Sequence, residues 1–132
     1  MRQSRVRFFG VTVAVTILLS AANAYAGHKF AWPGYVSRNA DGSGYAYGSA
    51  AATRGSSDSN QEVRCAVTWS SASCTIWDAA GNALSCQTTD AAMMAAARTF
   101  TSDSGLQILV NASGTCTGIY VYNWSSFAPK TP

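Results

Sequence analysis

The stretch that decides the fold is 74–86, which reads CTIWDAAGNALSC. Its centre, 78–81, has Asp first and Gly fourth, which is typical of a type I turn whose Gly takes the left-handed conformation at the exit. Such a turn forms a three-residue hairpin loop with a bulge. Because β-type residues flank it, the sequence predicts a hairpin with strands at 73–78 and 83–88.

The same turn pattern occurs twice more, as NADG at 39–42 and NASG at 111–114. β-type residues flank both turns as well, so we expect three hairpins and one further strand before the central one. Outside the central hairpin, the predicted strands are 34–38, 43–48, 62–68, 106–111 and 115–123.

One segment is predicted to be helical. Residues 90–100 (DAAMMAAARTF) are rich in Ala and Met, which favour helix. Thr88 or Thr89 can cap this helix, and Asp90 suits the positive end of its dipole. We expect a polar surface loop at 49–61 and a tail at 125–132. The apolar stripe of the helix comprises Met93, Ala96, Ala97 and Phe100.

Together these elements predict an α+β domain. It consists of a small antiparallel sheet of about six to seven strands, built from three hairpins, with one helix packed on it. A small β-sandwich or barrel is the alternative.

The four cysteines indicate two disulfides. If 79–81 form the loop, Cys74 lies opposite Cys86, and directly opposed residues are about 4.5–5.5 Å apart, within reach of a disulfide. We therefore predict Cys74–Cys86 and, by elimination, Cys65–Cys116. There is no C-x-x-C pair, so the spacing predicts no metal site.

The same register rule applies to the other two hairpins. It places Tyr35 opposite Tyr47 in the first hairpin. In the third it places Val110 opposite Cys116, Ile108 opposite Gly118 and Leu106 opposite Tyr120.

The N-terminus has the three parts of a secretory signal. Basic residues precede an apolar run at 11–22, and small residues follow with a cleavage site after Ala26 or, in a competing frame, after Ala24. The run is short for a membrane span. We expect a cleavable signal at 1–26, a single disulfide-stapled domain at 27–132, export to the periplasm or the medium, and no stable membrane anchor after cleavage.

The net charge of +3 belongs to this signal. The chain has nine Lys and Arg against six Asp and Glu, and Arg2, Arg5 and Arg7 account for the whole excess. The domain that follows is formally neutral and has no basic cluster. Because nucleic-acid binding needs a basic footprint, we exclude that class of partner.

No catalytic residue is assigned. The chain has one His, His28, beside the expected cleavage site, and it has neither a G-x-S-x-G nor a nucleotide-binding motif. Asp58 and Glu62 are the acids that no turn or helix start explains. The sequence disfavours an enzyme and keeps a small secreted hydrolase that uses Asp58 and Glu62 as an alternative.

Aromatic side chains are the remaining candidates for a binding site. The first hairpin presents Tyr45 and Tyr47 on one face, and Trp77 lies opposite the apolar face of its strand. Exposed aromatic rings among Ser, Thr and Asn can stack on sugars or anchor a protein partner. We therefore take Tyr45, Tyr47 and Trp77 as candidate binding residues.

Ser43-Gly44-Tyr45-Ala46-Tyr47 fits the pattern S-G-x-x-Y, which resembles a short motif of periplasmic lysozyme inhibitors of the C-type. The resemblance covers five residues. It implies a small exported β-barrel in which Ser43 and Tyr47 enter an enzyme cleft, and it adds Ser43 to the candidate binding residues.

The resulting expectation is an exported, non-enzymatic binding protein without a cofactor. Its partner would be a protein or a carbohydrate at the cell surface. The alternatives are an inhibitor of a secreted hydrolase such as lysozyme and the small secreted hydrolase.

Overall fold

The computed structural model describes residues 30–127. The expected signal at 1–26, His28 and the last five residues lie outside this range. The described residues form seven strands and two helices: β1 (Tyr35–Arg38), β2 (Gly44–Ser49), α1 (Ala50–Arg54), β3 (Glu62–Val67), β4 (Ala72–Trp77), β5 (Ala83–Thr88), α2 (Ala91–Arg98), β6 (Gly105–Val110) and β7 (Cys116–Tyr122).

The seven strands lie in two antiparallel sheets. One has the order β1-β2-β6-β7 and the other the order β3-β4-β5. The expected α+β class and antiparallel pairing are confirmed, but the expectation of one sheet is wrong, and 30–127 form no closed barrel. The reason is that β2 pairs with β6 and not with β3. In this pairing Ser49 lies opposite Gly105, which is 56 positions further along the chain.

Both sheets turn one face to a common core, which α2 also lines. Strands that alternate between buried and exposed positions must be covered on one side, and here each sheet covers the other. The most deeply buried members of this core are Ala46, Ala72, Cys74, Ile76, Leu84, Leu106 and Ile108.

The three predicted turns are confirmed. In each turn the fourth residue, Gly, donates its N–H to the carbonyl oxygen of the first residue at 3.0 Å. Gly42, Gly81 and Gly114 have φ of 88°, 82° and 79°, and no other residue of 30–127 has a left-handed φ. The left-handed Gly therefore sets the register of each hairpin.

The predicted register holds in the first two hairpins and fails in the third. Val110 lies opposite Cys116 as expected, but Leu109 lies opposite Gly118, so Thr117 is an extra residue. This β-bulge shifts the rest of β7 by one position. Leu106 consequently lies opposite Val121, and Tyr120 points away from the core.

The predicted disulfide pairing is wrong. The bonds are Cys65–Cys74 and Cys86–Cys116. Cys74 does lie opposite Cys86, but β4 is the central strand, so Cys74 also lies opposite Cys65 on its other side.

Strand geometry explains which neighbour Cys74 bonds. Asp78 donates its N–H to the carbonyl of Asn82, so these two opposed residues form a hydrogen-bonded pair. Hydrogen-bonded pairs, which are wider, alternate with narrower non-hydrogen-bonded pairs along antiparallel strands, and by this alternation Cys74 and Cys86 form one of the wider pairs. On the other side Cys74 and Cys65 form the narrow pair, with Cα atoms 4.1 Å apart. Cys86 is then free to bond Cys116, which approaches where Gln87 bridges Thr115.

The predicted helix is present as α2, and a second helix lies in the expected loop. Asp90, not Thr88 or Thr89, caps α2, because its side chain accepts a hydrogen bond from the N–H of Met93. The expectation that 49–61 form only a loop is wrong, since Ser49 caps α1 by accepting from the N–H of Ala52 at 3.2 Å.

Candidate functional site

The outward side of the four-stranded sheet is aromatic. With a period of two, buried Ala46 and Ile108 point to the core, and the residues next to them point out. We use the name aromatic face for the rings on this side and for those that cover its end: Trp32, Tyr35, Tyr45, Tyr47, Tyr120, Tyr122, Trp124 and Phe127.

The strand register places the middle of this face in one row across all four strands. Tyr35 lies opposite Tyr47, Tyr47 opposite Gln107 and Gln107 opposite Tyr120. Tyr35 and Tyr120 are on the two edge strands and are 43% and 47% exposed. The row therefore spans the sheet from edge to edge.

Neighbouring rings on β1 and β2 lie close together with nearly parallel planes. The ring centroids of Tyr35 and Tyr47 are 5.0 Å apart with planes at 19°, and those of Tyr45 and Tyr47 are 6.4 Å apart at 17°. Trp32 continues the series, 5.0 Å from Tyr47 at 23°. Stacked contacts of this kind favour one arrangement of the rings.

Three near-parallel rings cover the end of the sheet. Trp32, Trp124 and Phe127 are 5.5–6.3 Å apart in every pair, with planes within 13° of one another. Three similar distances describe a triangle and not a column, so the rings form a small platform. Trp32 is fixed through its backbone, because Ser49 donates its N–H to the Trp32 carbonyl at 2.7 Å.

Two glycines let these rings lie against the backbone. A Cβ at Gly105 would come within 2.7 Å of Phe127 Cζ and 2.8 Å of the Trp32 ring. A Cβ at Gly118 would come within 2.8 Å of the Tyr120 ring. Both contacts are shorter than packed atoms allow, so a side chain at either position would lift a ring off the sheet.

The aromatic face is polar at the ring hydroxyls and carries no charged side chain at the outward positions of β1, β2, β6 and β7. Tyr122 donates its hydroxyl to Gln107 Oε1 at 2.9 Å. The neighbouring Tyr45 hydroxyl raises the pKa of Tyr35. Like the other tyrosine hydroxyls of this face, that of Tyr35 can donate a hydrogen bond.

The structure brings together some of the predicted binding residues and separates others. Tyr45 and Tyr47 are on the aromatic face. Ser43 is in the turn before β2, where its hydroxyl donates to Asp41 Oδ1 at 2.6 Å. Trp77 is half-buried on the outward side of the other sheet, with the Arg64 guanidinium 4.6 Å from its ring centroid.

Most of the aromatic face was missed in the sequence. The alternation Tyr120-x-Tyr122-x-Trp124 indicates one face of a strand, but the unbulged register paired Tyr120 with Leu106, which is a core residue. Phe127 fell in the expected tail at 125–132, yet it is buried against Trp32 and Trp124.

Asp58 and Glu62 have different partners in the structure. Asp58 accepts hydrogen bonds from the backbone and side chain of Gln61 and the backbone of Asn60, which lower its pKa to about 2. It lines a groove of about 420 Å³ beside α1, and Glu62 is not among the lining residues. Glu62 instead lies 3.5 Å from Arg64. A carboxyl group with so low a pKa is ionised at neutral pH, so Asp58 is not suited to the role of the general acid in glycoside hydrolysis.

The part of the chain at 30–127 contains no cluster of three or more His, Cys, Asp or Glu that could hold a metal ion. Within the same residues, no helix has both the length and the apolar character needed to cross a membrane. The two disulfides are consistent with an oxidising, extracytoplasmic environment.

Comparisons with known proteins add no family. The chain matches no protein-family model, no curated protein and no solved structure. The geometry of the aromatic face is therefore the starting point for a function.

Proposed function

We propose that the protein is an exported, non-enzymatic binding protein whose ligand sits on the aromatic face. The observation that carries this proposal is the exposure of the rings: Tyr35, Tyr45, Tyr120 and Trp124 are 40–52% exposed on one continuous surface. Large contiguous apolar surface is rare on soluble domains and marks interaction sites.

The other sheet supports this proposal by contrast. Its outward side is polar: the Ser85 hydroxyl donates to Thr75 at 2.9 Å, and the Arg64 guanidinium lies over Trp77. The same chain thus keeps one outer sheet face polar. A fold of this size does not need an aromatic outer face, so a binding role is the better explanation of it.

Two independent observations support the compartment that we propose. The N-terminal segment has the pattern of a secretory signal, and both disulfides require oxidising conditions to persist. We propose the periplasm or the medium as the place where the protein acts. Inhibition of a secreted hydrolase is a special case, in which the partner is an enzyme.

The test is capture of cell-envelope material by the immobilised domain from 27 onward, with matched variants. Tyr45→Ser removes a half-exposed ring of the aromatic face, whereas Trp69→Ser removes a ring that is 91% exposed on the turn between β3 and β4. We expect the Trp69→Ser variant to capture the same envelope material as the wild type, and the Tyr45→Ser variant to lose this capture. Equal retention by all three, or retention by none, would refute the proposal.

A further inference from the structure

We propose that the ligand of the aromatic face is a neutral oligosaccharide. This inference rests on the proposed function, because it assigns a chemical class of ligand to the same surface. A pyranose ring has an apolar face of C–H groups and a rim of hydroxyls, so it needs both ring surface and hydrogen-bonding groups from its site.

The aromatic face supplies the ring surface. From Tyr45 through Tyr35 and Tyr47 to Trp32, successive centroids are 5.0–5.9 Å apart, and Trp124, which is 52% exposed and 6.3 Å from Trp32, extends the series. The series runs along a sheet face. An extended chain of sugar units could contact several of these rings in succession, each contact adding to the others.

Polar groups supply the second requirement. The tyrosine hydroxyls lie around the rings, and the Ser37 and Gln107 side chains occupy outward positions beside them. Gln107 accepts from Tyr122 through Oε1, which leaves its amide N–H₂ able to donate. These groups can exchange hydrogen bonds with sugar hydroxyls at the edges of the stacked rings.

The charge of the surface narrows the class to neutral sugars. None of the outward positions on β1, β2, β6 and β7 is charged, and Arg38, at the end of β1, is turned to the carbonyl of Ala83 on β5. Within residues 30–127, these outward positions offer no charge complementary to an anionic glycan, an anionic lipid surface or a strongly charged protein.

The surface also differs from the interface of a stable homodimer. Interfaces of that kind resemble a domain core, with many aliphatic side chains. Leu109 is the one aliphatic side chain at the outward positions of the four strands, and the tyrosines each bring a hydroxyl. A second copy of this chain is therefore the weaker candidate.

The experiment is calorimetric titration of the domain with five neutral hexasaccharides, namely those of β-1,4-glucose, β-1,3-glucose, α-1,4-glucose, β-1,4-mannose and β-1,4-N-acetylglucosamine. Hexagalacturonate is the charged comparison. We expect at least one neutral hexasaccharide to bind and Tyr45→Ser to weaken it about tenfold. Tyr45→Phe should bind more tightly than Tyr45→Ser because it keeps the ring, and Trp69→Ser should match the wild type.

Several outcomes would overturn the inference: no neutral hexasaccharide binding at millimolar concentration, equal affinity in Tyr45→Ser, or equal affinity for hexagalacturonate. Sedimentation equilibrium showing a dimer that Tyr45→Ser dissociates would do the same. If envelope material is captured in a Tyr45-dependent manner but no hexasaccharide binds, this inference fails and the proposed function stands. If neither depends on Tyr45, both fail.

Discussion

At the scale of single residues, Gly105 shows how a missing side chain shapes a surface. Its φ is not left-handed, so backbone freedom does not explain it; the Trp32 and Phe127 rings do, because they occupy the space where a Cβ would be. The three turn glycines were predictable because their role is local. The role of Gly105 was not, since it depends on residues 73 positions before it and 22 after it.

Gly105→Ala is therefore expected to destabilise the domain by about 1–3 kcal/mol, because the Trp32 and Phe127 rings must move. Chemical denaturation monitored by tryptophan fluorescence measures this. Gly55→Ala is the matched control: Gly55 caps α1 at φ −89°, and its nearest atom to an added Cβ is 3.4 Å away. We expect that variant to unfold at the wild-type denaturant concentration or slightly above it. Equal destabilisation by both variants would contradict the packing role.

The lowered pKa of Asp58 leads to a prediction about how the stability of the domain depends on pH. Its pKa is about 2 in the folded domain, below the ordinary value of about 3.9. Because the folded-state pKa is the lower one, the stabilisation is fully present above about pH 4 and is lost as the pH falls towards 2. Asp58→Ala should be less stable than the wild type at pH 6, and the difference should shrink as the pH falls from 4 to 2. A difference that is the same at pH 6 and pH 2 would show that the carboxylate does not act through its charge.

At the scale of elements, the pairing of the cysteines shows which strand contacts turn chemistry predicts and which it does not. Turn chemistry correctly predicted the strands and the opposition of Cys74 and Cys86. It missed that β3 lies on the other side of β4, although only residues 68–71 separate these two strands. It could not predict that β7 starts beside the end of β5, because those two strands are far apart in sequence. The bulge at Thr117 could not be predicted from local sequence either. It turns Ile119 into the core, and this position is favourable only once the core has formed.

The disulfide assignment is tested by peptide mapping under non-reducing conditions. Cleavage after Trp69, Trp77 and Phe100 separates the four cysteines onto different peptides. We expect Cys65 linked to Cys74 and Cys86 linked to Cys116, and a peptide joining Cys74 to Cys86 would contradict the structure.

The two disulfides should also differ in how much they stabilise the folded domain. Cys86–Cys116 closes 30 residues and joins the two sheets, whereas Cys65–Cys74 closes nine residues within one sheet. Replacing both cysteines of the longer loop by Ala should cost about 1 kcal/mol more than the same change in the shorter loop.

At the scale of the whole molecule, the two outer sheet faces differ in a way that packing alone does not require. Each sheet gives one face to the common core, and of the remaining faces one is polar and one aromatic. Tyr45 and Tyr47 of the aromatic face were predictable from one hairpin. Its full extent was not, because it combines β1 and β2 with β7 and with the rings at both ends of the described chain.

The measurement that tests the aromatic face most directly is hydroxyl-radical footprinting of the domain bound to the captured envelope material. Mass spectrometry then reports oxidation of each ring with and without that material. We predict that oxidation of Tyr35, Tyr45 and Tyr120 falls several-fold on binding while that of Trp69 does not change. Unchanged oxidation of the tyrosines in the bound state, or an equal fall at Trp69, would contradict the claim that the ligand sits on this face.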